Sequence, residues 1–146
     1  MVLGIFAAAC TNGERSERVA AADASVAVTF DGESCSWEGP TLIEQGTVDI
    51  SVTNSAEVDF FFAGFLMREP ALSQELERTP IGTDMEVVTQ RTAFPEGEMA
   101  FGWWVAPGEP VNRGPLLPAG IYVFDCLTGG PFDHVWRAAQ VEVAAA

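Results

Sequence analysis

The sequence predicts a one-domain, all-β sandwich preceded by an export signal. Three observations carry that expectation. Apolar residues alternate with polar ones at a period of two in several short segments. Clusters of Gly and Pro separate those segments. The chain opens with MVLGIFAAAC, an apolar run that ends in small residues and a cysteine.

The opening reads as the tail of a secretory signal peptide over residues 1–9, with Cys10 as the residue that becomes lipid-modified and N-terminal. It departs from a full signal in two ways: no Lys or Arg precedes the apolar stretch, and Ala7 stands three before Cys10, where leucine is usual. An ordinary secretory signal, or an apolar strand with a buried cysteine, is the alternative. The run is too short to span a bilayer as a helix. Residues 10–24 are small and polar without an apolar period, as suits a tether, and residues 25–146 form the expected domain.

A mature chain of about 135 residues suits one domain with a real core. The apolar fraction of 48% and ten phenylalanines argue against disorder. There are 21 carboxylates against seven arginines and no lysine, for a net charge of −14. That charge repels nucleic acid and anionic membrane surfaces, so nucleic acid is excluded as a partner. Membrane attachment then falls to the lipid.

The strands follow in order. Val26, Val28 and Phe30 alternate with Ala27 and Thr29, and Asp31-Gly32 reads as a turn. Val48, Ile50 and Val52 form a second set, and Val58, Phe60 and Phe62 a third. Val87 and Thr89 lie in a weaker one around Met85 to Thr92. Met99, Phe101, Trp103 and Val105 make a fifth. Ile121 to Cys126 is nearly continuous, as in a central strand buried on both faces. Gln140 to Val143 closes the chain. One short helix is expected between Pro70 and Pro80, where Leu72 and Leu76 lie a turn apart.

The stretch CSWEGPTLIEQGTVDISVTNSAEVDFFFAGFL, with LPAGIYVFDCLTGGPFDHVWRAAQVEV, resembles the cupredoxin-like domains of secreted bacterial proteins and lipoproteins. Asn54, Leu117, Gly120, Tyr122, Cys126 and His134 occupy the matching positions, over roughly Ser25 to Val143. The resemblance implies a Greek-key β-sandwich. It also implies a copper site, and there the residues depart from it. A type 1 centre takes two imidazoles, a thiolate and a weak axial group, often Met. Cys126 and His134 match one thiolate and one imidazole, but His134 is the chain's single histidine and no methionine follows it. The ligand set is incomplete, and no cofactor is expected.

Export leaves Cys35 and Cys126, which a secreted chain is expected to pair as a disulfide. The alternative is two free buried thiols. His134 is a weak metal candidate; a loop histidine bonded to backbone is the plainer reading. Asp31, Glu33, Asp125 and Asp133 could gather at one end of the sandwich, but no calcium-loop spacing is present. No nucleophile elbow, HExxH or phosphate loop is visible, so no enzyme is expected. The candidate ligand-contact aromatics are Trp103, Trp104 and Trp136. Trp103 and Trp104 are adjacent on a strand and must face opposite ways, while Trp136 shares a face with His134. Trp37 is placed to pack on the bridge.

Two functions remain. One is a non-enzymatic binding or structural module, anchored to the cell envelope by lipid, with an unidentified protein or small-molecule ligand. The other is a copper-handling or electron-transfer protein with an atypical site around His134.

Overall fold

The computed structural model describes residues 17–67, 84–86, 97–129 and 134–146. Twelve strands are described: β1 (Ser25–Phe30), β2 (Cys35–Glu38), β3 (Leu42–Glu44), β4 (Gly46–Thr47), β5 (Asp49–Asn54), β6 (Phe60–Met67), β7 (Asp84–Glu86), β8 (Gly97–Val105), β9 (Val111–Arg113), β10 (Leu116–Leu117), β11 (Gly120–Thr128) and β12 (His134–Ala144). They form a four-stranded sheet, β2-β1-β5-β9, and a six-stranded one, β3-β12-β11-β6-β8, with β7 also on β12. A two-stranded ribbon, β10-β4, stands beside them. Both large sheets are mixed: β1 runs parallel to β5, and β12 parallel to β3. The chain crosses between the sheets at β2–β3, β5–β6 and β8–β9, and through the ribbon strands at β3–β5 and β9–β11, giving an all-β sandwich.

The expected alternation shapes the four-stranded sheet. In β1, Val26, Val28 and Phe30 are buried while Ser25, Ala27 and Thr29 are exposed. The β1–β2 turn closes as Asp31 Oδ1 accepts from the Glu33 and Ser34 N–H groups at 2.8 and 2.7 Å. Gly32 supplies the positive φ of 92°. The β11 strand is central, between β12 and β6, and Tyr122, Val123, Phe124, Asp125, Cys126 and Leu127 are all buried. That double burial explains its continuous apolar run.

Alternation fails at two bulges. On β12 the register shifts between Phe124 and Asp125, so Ala138 and Ala139 both enter the inter-sheet core. On β8 the shift between Gly64 and Phe65 leaves Ala100 unpaired. Met99 therefore lies opposite Phe65 and is 49% exposed, instead of sharing the inner face with Phe101, Trp103 and Val105. A bulge inverts the facing of every residue beyond it, which a strict two-residue period cannot foresee.

Other expectations shift at their ends. Val58 lies in the loop before β6 and is exposed. The last strand begins at His134, six residues before Gln140. Residues assigned to the tether take part in the fold. Val19 bridges Ile43, its N–H donating to Leu42 O and its carbonyl accepting from Glu44 N, and Ala21 is buried in a single 3-10 turn, Ala21–Asp23. The helix expected between Pro70 and Pro80, and Val87 and Thr89 of the weaker strand set, lie outside the described residues.

The parallel and antiparallel registers give the sandwich two ends. At the terminal end lie Val19 to Ala24, β3, β4, β10 and the C-terminus. At the loop end lie Asp31–Ser34, Ser55–Asp59, Ala106–Pro110 and His134.

Candidate functional site

The loop end gathers the residues that the sequence singles out. Cys35 begins β2 beside Phe30, and Cys126 lies on β11 in register with Trp136. Their sulfurs are bonded across the two sheets, with Cα atoms 6.0 Å apart and a sequence separation of 91. Both are buried, at 2% and 0% exposure. The expected disulfide is present, and Cys126 is no thiolate in this state.

His134 is exposed, two residues before Trp136 on the same face, and the rings stack at 5.7 Å and 25°. Trp136 meets Phe30 edge-on at 5.0 Å, and Phe30 lies 4.6 Å from Phe60. These three buried rings and the disulfide close this end of the core. Asn54, buried to 2%, organises the loops above it. Its amide donates to Val58 O and Val105 O at 2.8 and 2.9 Å, its Oδ1 accepts from Ala56 N, and its carbonyl accepts from Gly108 N. One side chain thus ties β5–β6 to β8–β9, and these bonds satisfy its buried polar atoms.

Among the described acids, Asp125 does not join Asp31 and Glu33. Asp31 and Glu33 are exposed in the β1–β2 turn, where the N–H groups of Glu33 and Ser34 hold the Asp31 carboxyl below its usual pKa. Asp125 lies on the outer face of the six-stranded sheet, fully buried. Asp133 lies outside the described residues, as do residues 1–16 with Cys10. Among the described residues no three His, Cys, Asp or Glu side chains converge as a metal site. No described helix is long and apolar enough to cross a membrane.

What sequence reasoning missed is an ion pair. Asp125 faces Arg137 across β11–β12, Nε donating to Oδ1 at 3.4 Å, with exposures of 0% and 2% for the side chains. Ala63, Val123, Leu127 and Val135 surround the pair. Burial pushes the Asp125 pKa up to about 7, against the pull of the Arg137 charge. Oδ2 has no hydrogen-bond partner among the described residues. The signal was available: one acid and one base each interrupt an apolar run, in two strands that pair.

The tryptophans divide as their adjacency requires. Trp103 turns inward, 5.4 Å from Phe62 and 5.3 Å from Phe101. Trp104 turns outward, 56% exposed, with Phe61 edge-on at 5.4 Å. Trp37 shares the Cys35 side of β2 and packs on Phe124 at 4.7 Å. An open groove of about 380 Å³ on the four-stranded sheet is lined by Ser25, Asp49, Ser51, Asn112 and Arg113 among others.

No known protein family and no curated protein matches the chain. Among solved structures it is similar to dithionite-reduced auracyanin from the photosynthetic bacterium Roseiflexus castenholzii. The identity is 14%, the likeness covers 84% of this chain and 96% of that one, and the TM-score is 0.45. At that distance it carries no conclusion about function or metal, and the loop-end geometry has to be interpreted from its own residues.

Proposed function

We propose that the protein is an extracytoplasmic lipoprotein: a non-enzymatic binding or structural module of cupredoxin-like fold, without a type 1 copper centre, held to the cell envelope by lipid on Cys10. The observation that carries this is the Cys35–Cys126 disulfide. A buried bridge suits an oxidising compartment. It also occupies the one thiol that stands where the cupredoxin resemblance puts a copper thiolate, and His134 is the only imidazole in the chain. Intense blue colour needs both a copper–thiolate bond and its imidazole partners.

The test adds Cu(II) to aerobically prepared protein and follows the visible spectrum, with metal content measured on protein purified without chelator. The expected result is no intense band and no stoichiometric copper. A tightly held copper with strong visible absorption overturns the proposal in favour of a copper-handling protein. The exposure of His134 and its stack on Trp136 favour that second function for a surface-bound ion. Binding that is weak and lost in His134→Ala identifies the imidazole as its ligand. Mass spectrometry of native material tests the anchor: acylated Cys10 is expected, and an unacylated N-terminus downstream of it refutes the lipoprotein assignment.

A further inference from the structure

We infer that the anchored protein rests on the bilayer by its terminal end, with the Pro115–Ala119 turn against the lipid interface, and presents its loop end away from the membrane. This rests on the proposed lipidation of Cys10.

Two observations carry it. The first is reach. Val19 is fixed in the fold by its bridge to Ile43, and Ile43 pairs with Val143 near the far end of β12. From Cys10 to Val19 is nine residue steps, which span at most about 32 Å in any conformation. From Val143 back to His134 is also nine steps, about 30 Å along a strand. The Asp31–Ser34, Ser55–Asp59 and Ala106–Pro110 loops lie at the His134 end. To set those loops on the membrane, the chain between Cys10 and Val19 must be stretched to its limit. To set the terminal end there, the chain, which enters its parallel bridge with Ile43 from the loop-end side, has to turn back but need not be stretched.

The second is the surface at that end. Leu116 is 70% exposed, the most exposed large apolar side chain among the described residues. An exposed leucine alone is ordinary. This one is beside the first described segment: Leu116 pairs with Thr47 and Leu117 with Gly46, whose Cα approaches Ala21 so closely that an added Cβ would lie 2.8 Å from the Ala21 methyl. Pro118 and Ala119, next in the turn, are exposed and uncharged. Exposed carboxylates stand at both ends, Asp23 and Glu142 at one and Glu33, Glu57 and Glu109 at the other. Charge does not choose the orientation, and the loop end also exposes Val58; reach, and the position of the more exposed Leu116 near Val19, do.

The test couples a maleimide lipid to Cys10 of the full chain. The reaction is selective because Cys35 and Cys126 are bonded to each other. The product is placed on phosphatidylcholine nanodiscs containing a gadolinium-chelating lipid, and amide relaxation is measured by NMR. Enhancement at Leu116, Leu117 and Ala119 should exceed that at Ala56–Val58 at least five-fold, and Leu116→Glu should reduce the ratio. Equal enhancement at the two ends, or a reversed ratio, overturns the inference. An unacylated Cys10 in native protein removes its basis, and the mass separates that failure from a failure of orientation.

Discussion

The inner face of the six-stranded sheet buries Tyr122, Phe124, Cys126, Trp136 and Val141 against the four-stranded sheet. The outer face of the same strands buries Val123, Leu127 and Val135 around Asp125 and Arg137. The two faces are equally dry and differently made. The inner one is apolar throughout, cross-linked to the opposite sheet by a covalent bond. The outer one holds a carboxyl and a guanidinium whose stabilisation depends on each other. In water a carboxylate and a guanidinium 3.4 Å apart contribute little, but in a dry layer each leaves a large unmet desolvation cost if the other is lost. Burial alone does not make a core robust; the kind of partner does.

The largest expected effect breaks the inner face. Replacing Cys35 and Cys126 by Ala opens a loop with a sequence separation of 91 residues. By chain entropy the loss is about 4–5 kcal/mol, a large share of a small domain's stability. Thermal unfolding should fall by about 15 °C. A change of a degree or two would mean that packing around Phe30, Phe60 and Trp136, not the bond, sets this end.

Breaking the outer face should come close. Arg137→Met leaves Asp125 in the dry layer without its charge partner, for a loss of about 3–5 kcal/mol. Asp125→Leu combined with Arg137→Met should recover most of it, because both desolvation costs vanish together. A double variant as unstable as the single one would show that the pair's worth lies elsewhere than in mutual neutralisation. Its pH dependence follows from the raised carboxyl. Folded Asp125 keeps its proton up to about pH 7, while the unfolded chain releases it near 3.8. Its contribution is therefore fullest below pH 3.8 and is lost as pH rises towards 7. Denaturant titrations across that window should show the slope, and Asp125→Asn should flatten it.

Close packing on both faces is tested at two glycines on neighbouring strands. A Cβ on Gly64 would meet the Phe101 ring at 2.5 Å, on the inner side, and one on Gly102 would meet the Phe61 ring at 2.4 Å, on the outer side. Either ring must move to admit a methyl, so Gly64→Ala and Gly102→Ala should each lose about 1–3 kcal/mol by chemical denaturation. A milder loss at Gly102 than at Gly64 would show the outer layer to be the more yielding.

Much of the inner face was legible in the sequence. Val26, Val28 and Phe30 on β1, Ile50 and Val52 on β5, and the run from Tyr122 to Cys126 are buried as their spacing requires. The disulfide follows from counting cysteines under the expectation of export. The outer face is less legible because a charged residue ordinarily marks solvent, and nothing beside Asp125 in sequence shows it to be buried. Its burial depends on a partner twelve residues away that only strand pairing brings opposite. Met99 was misplaced because a bulge at Ala100 has no sequence signature. The strands β3, β4, β9 and β10 run for two or three residues, too short for a period to register. At the candidate site, sequence could place Cys126 and His134 near each other but could not give the shape of the end they share.

The smallest expected effect locates the rim of the outer layer. Trp104 and Phe61 meet edge-on at 5.4 Å on that face, and Trp104 is 56% exposed, while Phe61 covers Gly102. An aromatic pair contributes about 0.5–1.5 kcal/mol, towards its lower end when one ring is largely in water. Trp104→Ala should therefore lose about 1 kcal/mol or less in denaturant titrations. The adjacent Trp103→Ala, which empties space against Phe62 and Phe101, should lose about 3 kcal/mol or more. The contrast isolates facing from chemistry, since the two residues are identical and neighbours in the chain. If both variants lose the same amount, the outer layer extends over β8 and Trp104 belongs to it. If they differ as expected, that layer ends at β6, and β8 carries an indole on the outside of the sheet that stability does not require.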